Sequence, residues 1–319
     1  MEDKLILALC LSALFVVVLS KLVSSAVKPR LNLPPGPWTL PLIGSLHHLA
    51  MTKSPQTHRS LRALSEKHGP IMQLWMGEVP AVVVSSPAVA EEVLKHQDLR
   101  FADRHLTATI EEDMISGASE TSPTVLIWTL AELMRNPRIM AKAQAEVRQA
   151  VAGKTTITED DIVGLSYLKM VIKETLRLHP PAPLLNPRKC RETSQVMGYD
   201  IPKGTSVFVN MWAICRDSRY WEDPEEYKPE RFENNSVDYK GNNFEFLPFG
   251  SGRRICPGIN LGVANLELPL ASLLYHFDWK LPNGMAPKDL DMHETSGMVA
   301  AKLITLNLCP ITHIAPTSA

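Results

Sequence analysis

The chain of 319 residues has almost no net charge, −1 at neutral pH. That argues against a nucleic-acid binder, which carries a basic surface. It has five cysteines, Cys10, Cys190, Cys215, Cys256 and Cys309, odd in number and irregularly spaced. They form neither a disulfide framework nor a CxxC zinc pattern, and a reducing compartment fits them best. No internal repeat is visible, so a repeat architecture is excluded. Hydrophobic residues make up 45% of the chain and charged residues 21%, so a sizeable core is within reach. Prolines are plentiful at 25 and cluster at loops.

Only one long apolar run is present, Leu5 to Leu19, with Lys21 the first charge after it. Extended to Ala26 it reaches about the 20 residues that a membrane helix needs. The rival is a cleaved signal peptide, with Ser24-Ser25-Ala26 as the cleavage site. Glu2 and Asp3 make the N-terminus acidic, where a signal peptide is basic. Lys21, Lys28 and Arg30 follow the run and place the main body on the cytosolic side. Residues 1–30 are therefore expected to be an uncleaved anchor. Pro34-Pro35-Gly36-Pro37 then reads as a stiff hinge to the globular part, residues 31–319.

Along the globular part the patterns predict a helix over Thr57–His68 and a hairpin from Ile71–Met76 and Ala81–Ser85. A helix over Pro87–His96 has proline in its first turn. A long helix covers Asp113–Leu133 and another Asn136–Ala150. Thr158 with Asp161 forms a capping box, and Ser166 caps a helix over Tyr167–His179. A second hairpin is predicted over Val196–Asn210, turned at Pro202-Lys203-Gly204. Weak strands are expected at Phe277–Leu281 and Leu303–Leu308.

The most informative stretch is Phe244 to Gly262, FEFLPFGSGRRICPGINLG. Gly250, Gly252 and Gly258 allow a tight turn and a close approach to a flat ligand. Pro257 suits the first position of a helix over Ile259–Leu274. Cys256 would then lie at a helix N-terminus, where unpaired N–H groups favour a thiolate. Arg254, two residues back in an extended segment, points to the same side. A cation beside a thiolate suits a ligand carrying both a metal and carboxylates, and heme is that ligand. The bland alternative is a buried structural thiol.

Phe249, Gly252, Arg254, Cys256 and Gly258 fill the spacing F-x-x-G-x-R-x-C-x-G. This resembles the heme-binding loop of the cytochrome P450 family, with Cys256 as the iron ligand. The apolar run, the basic residues and PPGP resemble the N-terminus of endoplasmic-reticulum members, in the plant microsomal group. Gly117-Ala118-Ser119-Glu120-Thr121-Ser122 resembles the family's central-helix motif [AG]-G-x-[DE]-T-[TS]. Ala118 departs from it and narrows the space beside the heme. Glu120 and Thr121 match the acid–alcohol pair that relays protons. Pro123 cannot donate to the Ser119 carbonyl and its ring crowds it, so a local opening that holds water is expected. Glu174 with Arg177 resembles E-x-x-R, and Pro229-Glu230-Arg231-Phe232 resembles P-E-R-F, whose charged groups interlock. Arg188 corresponds to a position that meets a heme propionate. Leu184, Asn186 and Met298 fall on substrate-lining positions, Asn186 where an apolar residue is commoner.

The resemblance implies a mainly α fold with small β-sheets. It implies a monooxygenase that uses heme b, O2 and electrons from NADPH through a membrane-bound reductase, on a small apolar plant metabolite such as a terpenoid. It also shows a gap. Of the six tryptophans only Trp212 has an arginine four residues on, Arg216, and it follows Glu174 and Arg177 in the chain where the family's W-x-x-x-R helix precedes them, so that helix is missing. The helical block between about His105 and Asp113 looks deleted. An inactive heme-binding remnant is therefore the alternative. Hydroperoxide-rearranging heme-thiolate chemistry is a third reading, which Glu120 and Thr121 oppose.

Overall fold

The computed structural model describes Ser12 and residues 31–52, 54–104 and 110–313. The expected anchor, residues 1–30, lies outside them apart from Ser12. Among the described residues no helix is long and apolar enough to cross a membrane.

Two short helices lead in, α1 (Leu46–Met51) and α2 (Thr57–His68). The hairpin β1 (Ile71–Met76) and β2 (Val79–Val84) follows, in register Ile71↔Val84 to Met76↔Val79. Its second strand starts earlier than predicted. The turn is only Gly77-Glu78, with Gly77 at φ 65°, a conformation that costs glycine little. Pro80 falls where β2 has a single neighbouring strand, which tolerates proline. Helix α3 (Pro87–Glu91) is capped by the Ser86 side chain and continues as a π-turn, Glu92–His96.

The long helix α4 (Ile110–Arg135) runs into α5 (Pro137–Ala150) across Asn136. The capping box at Thr158 and Asp161 opens α6 (Glu159–Ile162) as expected. Helix α7 (Ser166–Leu178) begins one residue before the predicted start, and Ser166 is not its cap. Glu146 of α5 does that work. Its carboxylate accepts from Tyr167 N and Leu168 N, both at 2.8 Å. The negative charge suits a helix N-terminus.

Four strands form the main sheet in the order β1, β2, β6 (Ser206–Val209), β3 (Arg188–Lys189). Strand β6 runs parallel to β2, Ala81↔Ser206 to Val84↔Val209. The predicted hairpin over Val196–Asn210 is thereby corrected. Its actual turn is Met197-Gly198, at φ 50° and 81°, between β4 (Ser194–Val196) and β5 (Tyr199–Ile201). Two successive left-handed residues match the right-handed twist of paired strands. Pro202-Lys203-Gly204 instead hands the chain from that hairpin to β6. After α8 (Met211–Ile214) comes a long irregular segment, then α9 (Ile259–His276) and β7 (Phe277–Lys280). Strand β7 pairs with β8 (Cys309–Thr312), not with Leu303–Leu308. Pro310 hides the strand signal there, and the pairing comes from tertiary packing.

Both faces of the sheet are covered. Ile71, Val82 and Val84 point into the main core, and Met72, Leu74, Ala81 and Val83 pack on Leu61 and Leu64 of α2. That two-sided burial explains the unbroken apolar run of β2. The main core joins Leu133 of α4, Ala143 and Val147 of α5, Val171 and Ile172 of α7, and Leu266, Leu270 and Leu274 of α9. Each such Leu, Ile or Val side chain contributes about 1.5–3 kcal/mol. Phe246 and Leu247, both fully buried, belong to the same core and fix the start of the cysteine loop.

Candidate active site

The loop from Phe244 to Gly258 turns where glycine permits. Gly250 and Gly252 take φ 73° and 68°. A Cβ on Gly252 would lie 1.9 Å from the Leu94 carbonyl oxygen, so no other residue fits that approach. Cys256 N donates to Phe249 O at 2.9 Å, and Ile255 N to Gly252 O at 3.0 Å. The Phe249 ring stands edge-on to Tyr239, centroids 5.6 Å apart. Cys256 itself is exposed and opens onto a groove of about 620 Å³ lined by Tyr239, Ile259, Val263 and Glu267. Burial raises the Glu267 carboxyl, with Lys169 opposing it.

Two local expectations are corrected. Gly258 is the N-cap of α9, so Pro257 stands just outside the helix and Cys256 one residue further back. Gly252–Arg254 is a turn of 3-10 helix, and Arg254 does not follow an extended alternation. Its Nε donates to Ala102 O at 2.8 Å.

Arg188 is buried, at 5% exposure, at the start of β3. Its Nη2 donates to Ser251 O at 3.0 Å, while Nη1 has no partner. Burial, then the charges of Arg104 and Arg254, push its pKa down to about 10 against the pull of Asp98. A buried guanidinium edge aimed at no acceptor, among like charges, fits a ligand that brings carboxylates.

Glu174 is fully buried with Arg177, and the two are joined bidentately at 2.8 and 2.9 Å. Arg231 Nε and Lys228 N also donate to Glu174 Oε1, at 2.9 and 2.8 Å. Arg177 Nη1 reaches Cys215 O and Pro224 O, each at 2.7 Å. Arg231 reaches Glu222 O at 2.7 Å. The three charges so staple the irregular segment that precedes the cysteine loop onto α7.

Glu120 and Thr121 sit on α4, whose later part, from Val125 onward, is buried at Trp128, Ala131 and Leu133. Glu120 is exposed, and Thr121 Oγ1 donates to Gly117 O at 2.7 Å. The helix runs through Pro123 without a break. The Thr121 hydroxyl satisfies a carbonyl one turn back. Leu184 is half-buried against the second core cluster, Asn186 is exposed, and Met298 is 64% exposed.

The residues fit heme on two counts. Arg188 offers an unused buried donor, with Arg254 near. Cys256 is accessible, while burial pushes the Cys215 thiol up to about 12 and raises Cys190, which holds both as thiols. Among the described residues no group of three or more His, Cys, Asp or Glu could hold a metal.

Residues 34–113 and 99–308 match the cytochrome P450 family profile. The chain belongs to the cytochrome P450 family. This P450 is 61% identical to an ent-isokaurene C2/C3-hydroxylase and 55% identical to an ent-cassadiene hydroxylase, both of Oryza sativa subsp. japonica. It is 41% identical to zealexin A1 synthase of Zea mays. Each alignment takes in all of this chain and 99–100% of the relative. The first runs over 515 positions against 319 residues here, so 196 positions carry no residue of this P450. The two matched segments meet at 99–113, which agrees with a lost block between His105 and Asp113.

Sequence reasoning missed several polar contacts that shape the P450's interior. Trp128 Nε1 donates to Ala300 O at 2.8 Å and its ring stacks on His179, centroids 4.1 Å apart. His179 Nε2 meets Glu132 Oε1 at 2.8 Å. Glu294 is buried against His58 and Arg59, at 2.9 and 2.6 Å. No local spacing signals these partners, which lie tens to hundreds of residues apart.

Proposed function

We propose that this P450 is a heme-thiolate monooxygenase that inserts one oxygen atom from O2 into a small terpenoid. The observation that carries the reading is the glycine-forced loop that leaves Cys256 accessible and accepts a hydrogen bond at Ser251 from Arg188, whose other donor is unused. The rice relatives, named for ent-isokaurene and ent-cassadiene, point to the substrate class.

Cys256 thiolate would hold the iron of heme b, and Arg188 and Arg254 would hold its carboxylates. Phe249, Gly252 and Gly258 would shape the loop around the thiolate. When bound, the heme supplies oxygen activation. Glu120 and Thr121 would hold and pass a proton toward the reacting oxygen. Glu174, Arg177 and Arg231 keep the supporting segment in place. Leu184, Asn186 and Met298 would line the substrate. NADPH–cytochrome P450 reductase would deliver the electrons. Residues 1–30 would anchor the chain in the endoplasmic reticulum membrane, with residues 31–319 as a cytosolic heme domain.

A second reading is an inactive heme-binding remnant. The 196 positions without a residue here, and the exposed setting of Glu120, favour it. Oxygen chemistry needs a site that excludes bulk water. Turnover is therefore expected to be poorly coupled, with NADPH consumption yielding mainly peroxide. Assays with reductase and a terpenoid panel decide between the readings, and stoichiometric hydroxylation would discard the second. The reduced, carbon-monoxide-bound spectrum tests the shared core of both. Cys256→Ala should abolish the thiolate-type band, while Cys215→Ala and Cys309→Ala leave it. Survival of the band in Cys256→Ala refutes the ligand assignment.

A further inference from the structure

Trp128 is fully buried on α4, about two turns beyond Thr121. Its side chain holds two different segments at once. The indole Nε1 donates to Ala300 O at 2.8 Å, in the segment 294–302 that carries Met298. The ring stacks on His179, centroids 4.1 Å apart and 8° from parallel. His179 is where α7 ends, and it leads into the segment 180–188 that carries Leu184 and Asn186. One side chain on the central helix therefore touches both segments expected to line the substrate.

The two segments are also tied to each other. Ala300 N donates to Pro181 O at 2.9 Å, which closes a ring from the indole through Ala300 and Pro181 back to His179. Each side of that ring is held from outside. Glu132, one turn further along α4, meets His179 Nε2 at 2.8 Å and accepts from Asn136 Nδ2 at 3.3 Å. Segment 294–302 is closed on itself by Thr295 N, which donates to Ala301 O at 2.8 Å, and is pinned at its start by Glu294 on His58 and Arg59. In segment 180–188, Trp212 N donates to Pro183 O at 3.1 Å, and Leu185 stands at φ 50° between Leu184 and Asn186. A leucine in left-handed backbone persists only where its surroundings hold it, and such residues gather at ligand sites.

Burial divides segment 294–302 into a base and a tip. Ala300 is 2% exposed, whereas Met298, two residues away, is 64% exposed. A group that fixes the base fixes where the tip stands. We propose that Trp128 is a positioning residue for substrate selection, setting the spacing between the Met298 tip and the 184–186 turn. That spacing decides which terpenoid skeletons fit between them. Trp128 itself touches no substrate. The inference rests on the monooxygenase reading above, which gives the two segments to the substrate. A tryptophan that merely fills a core behaves differently. Its loss lowers stability and weakens every ligand alike, whereas loss of a positioning group changes which ligand is preferred.

Trp128→Phe keeps an aromatic ring against His179 and removes the indole N–H. Two readouts on the full chain test it. The first is hydrogen exchange followed by mass spectrometry, which needs neither heme nor turnover. Peptides over 294–302 should exchange about fivefold faster, as expected for one lost hydrogen bond, while those of α5 and α9 stay unchanged. The second is the spin-state shift of the ferric heme as members of a terpenoid panel are added, ent-kaurene and valencene among them. The ratio of the two dissociation constants should change severalfold in Trp128→Phe. His179→Gln, which keeps a donor toward Glu132 and gives up the stack, is the second variant should Trp128→Phe not fold. It should loosen 180–188 and move the same ratio. Equal weakening of every terpenoid, with the ratio kept, makes Trp128 a core filler and overturns the proposal. Unaltered exchange over 294–302 in Trp128→Phe overturns it as well. Both results leave the monooxygenase reading standing, because the unaltered chain still answers to terpenoids. An unaltered chain that shows no spin-state shift with any of them discards that reading, and the positioning role with it.

Discussion

Removing the Glu174 carboxylate should unfold this P450 more readily than removing almost any other single side chain. In the folded state it accepts from Arg177 Nε and Nη2, Arg231 Nε and Lys228 N, at 2.8 to 2.9 Å. Glu174→Ala would leave two guanidinium groups in the interior, Arg177 with a fully buried side chain and Arg231 with 8% exposure. Breaking a buried pair in this way costs about 3–5 kcal/mol, a large share of an ordinary stability of about 5–15 kcal/mol. At roughly 2 cal/mol/K of unfolding entropy per residue, that is a fall of roughly 4–8 °C in melting temperature. The arginines keep their carbonyl acceptors, so the fold is weakened rather than lost. Differential scanning calorimetry on Glu174→Ala, Arg177→Ala and the double variant gives the decisive cycle. The double variant should lose less than the sum of the singles, because the second removal no longer strands a charge. Additive losses, or a melting temperature unchanged in Glu174→Ala, would refute the account of the cluster as a buried staple.

Gly252→Ala forces a side chain into φ 68° and against the Leu94 carbonyl oxygen. Left-handed backbone and overpacking together should cost about 2–5 kcal/mol, read as a lower denaturation midpoint and a weaker reduced carbon monoxide band. Glu294 provides a pH signature. Burial by itself raises its carboxyl, but the hydrogen bond from His58 and the charges of His58 and Arg59 outweigh that and hold it at about 2. A carboxyl depressed in the folded state adds stability that is full above its ordinary value near 4.5 and is lost as pH falls toward 2. Acid titration of the melting temperature should therefore be shallower over that window in Glu294→Gln than in the unaltered chain.

Much of the fold was legible wherever the signal is local. Thr57–His68 and Ile71–Met76 match their predicted bounds because amphipathic period and turn chemistry agree there. The Glu174, Arg177 and Arg231 cluster was legible only through the resemblance to E-x-x-R and P-E-R-F, since a Glu–Arg pair three residues apart is ordinary surface decoration, whereas the Cys256 loop stood out by its residue types and spacing. What escaped was set by distant partners. The start of α7 is capped by a carboxylate from α5, where the sequence offered Ser166. The turn at Met197-Gly198 uses a left-handed methionine, which no propensity favours, so Pro202-Lys203-Gly204 drew the prediction instead. Pro310 masked β8, whose place is fixed by its ladder with β7. Arg254 lies on a helical turn because Gly252 bends the chain just before it.

The parallel pairing of β2 with β6 carries a consequence for the length of this chain. Its two strands are contributed from either side of the point where the family profile breaks, and their register depends on neither end of the intervening excursion. Residues can be gained or lost at the break between the two matched segments without shifting a bond of the β2–β6 ladder. With the length difference placed between the two matched segments, the shorter excursion even closes more easily, by about 0.8 kcal/mol for a closure entropy that grows as the logarithm of length. The sheet thus acts as a clasp indifferent to what is threaded through it. A loss at this point leaves the β2–β6 ladder in place, where a loss that took β6 or α7 would remove the sheet or the Glu174 staple.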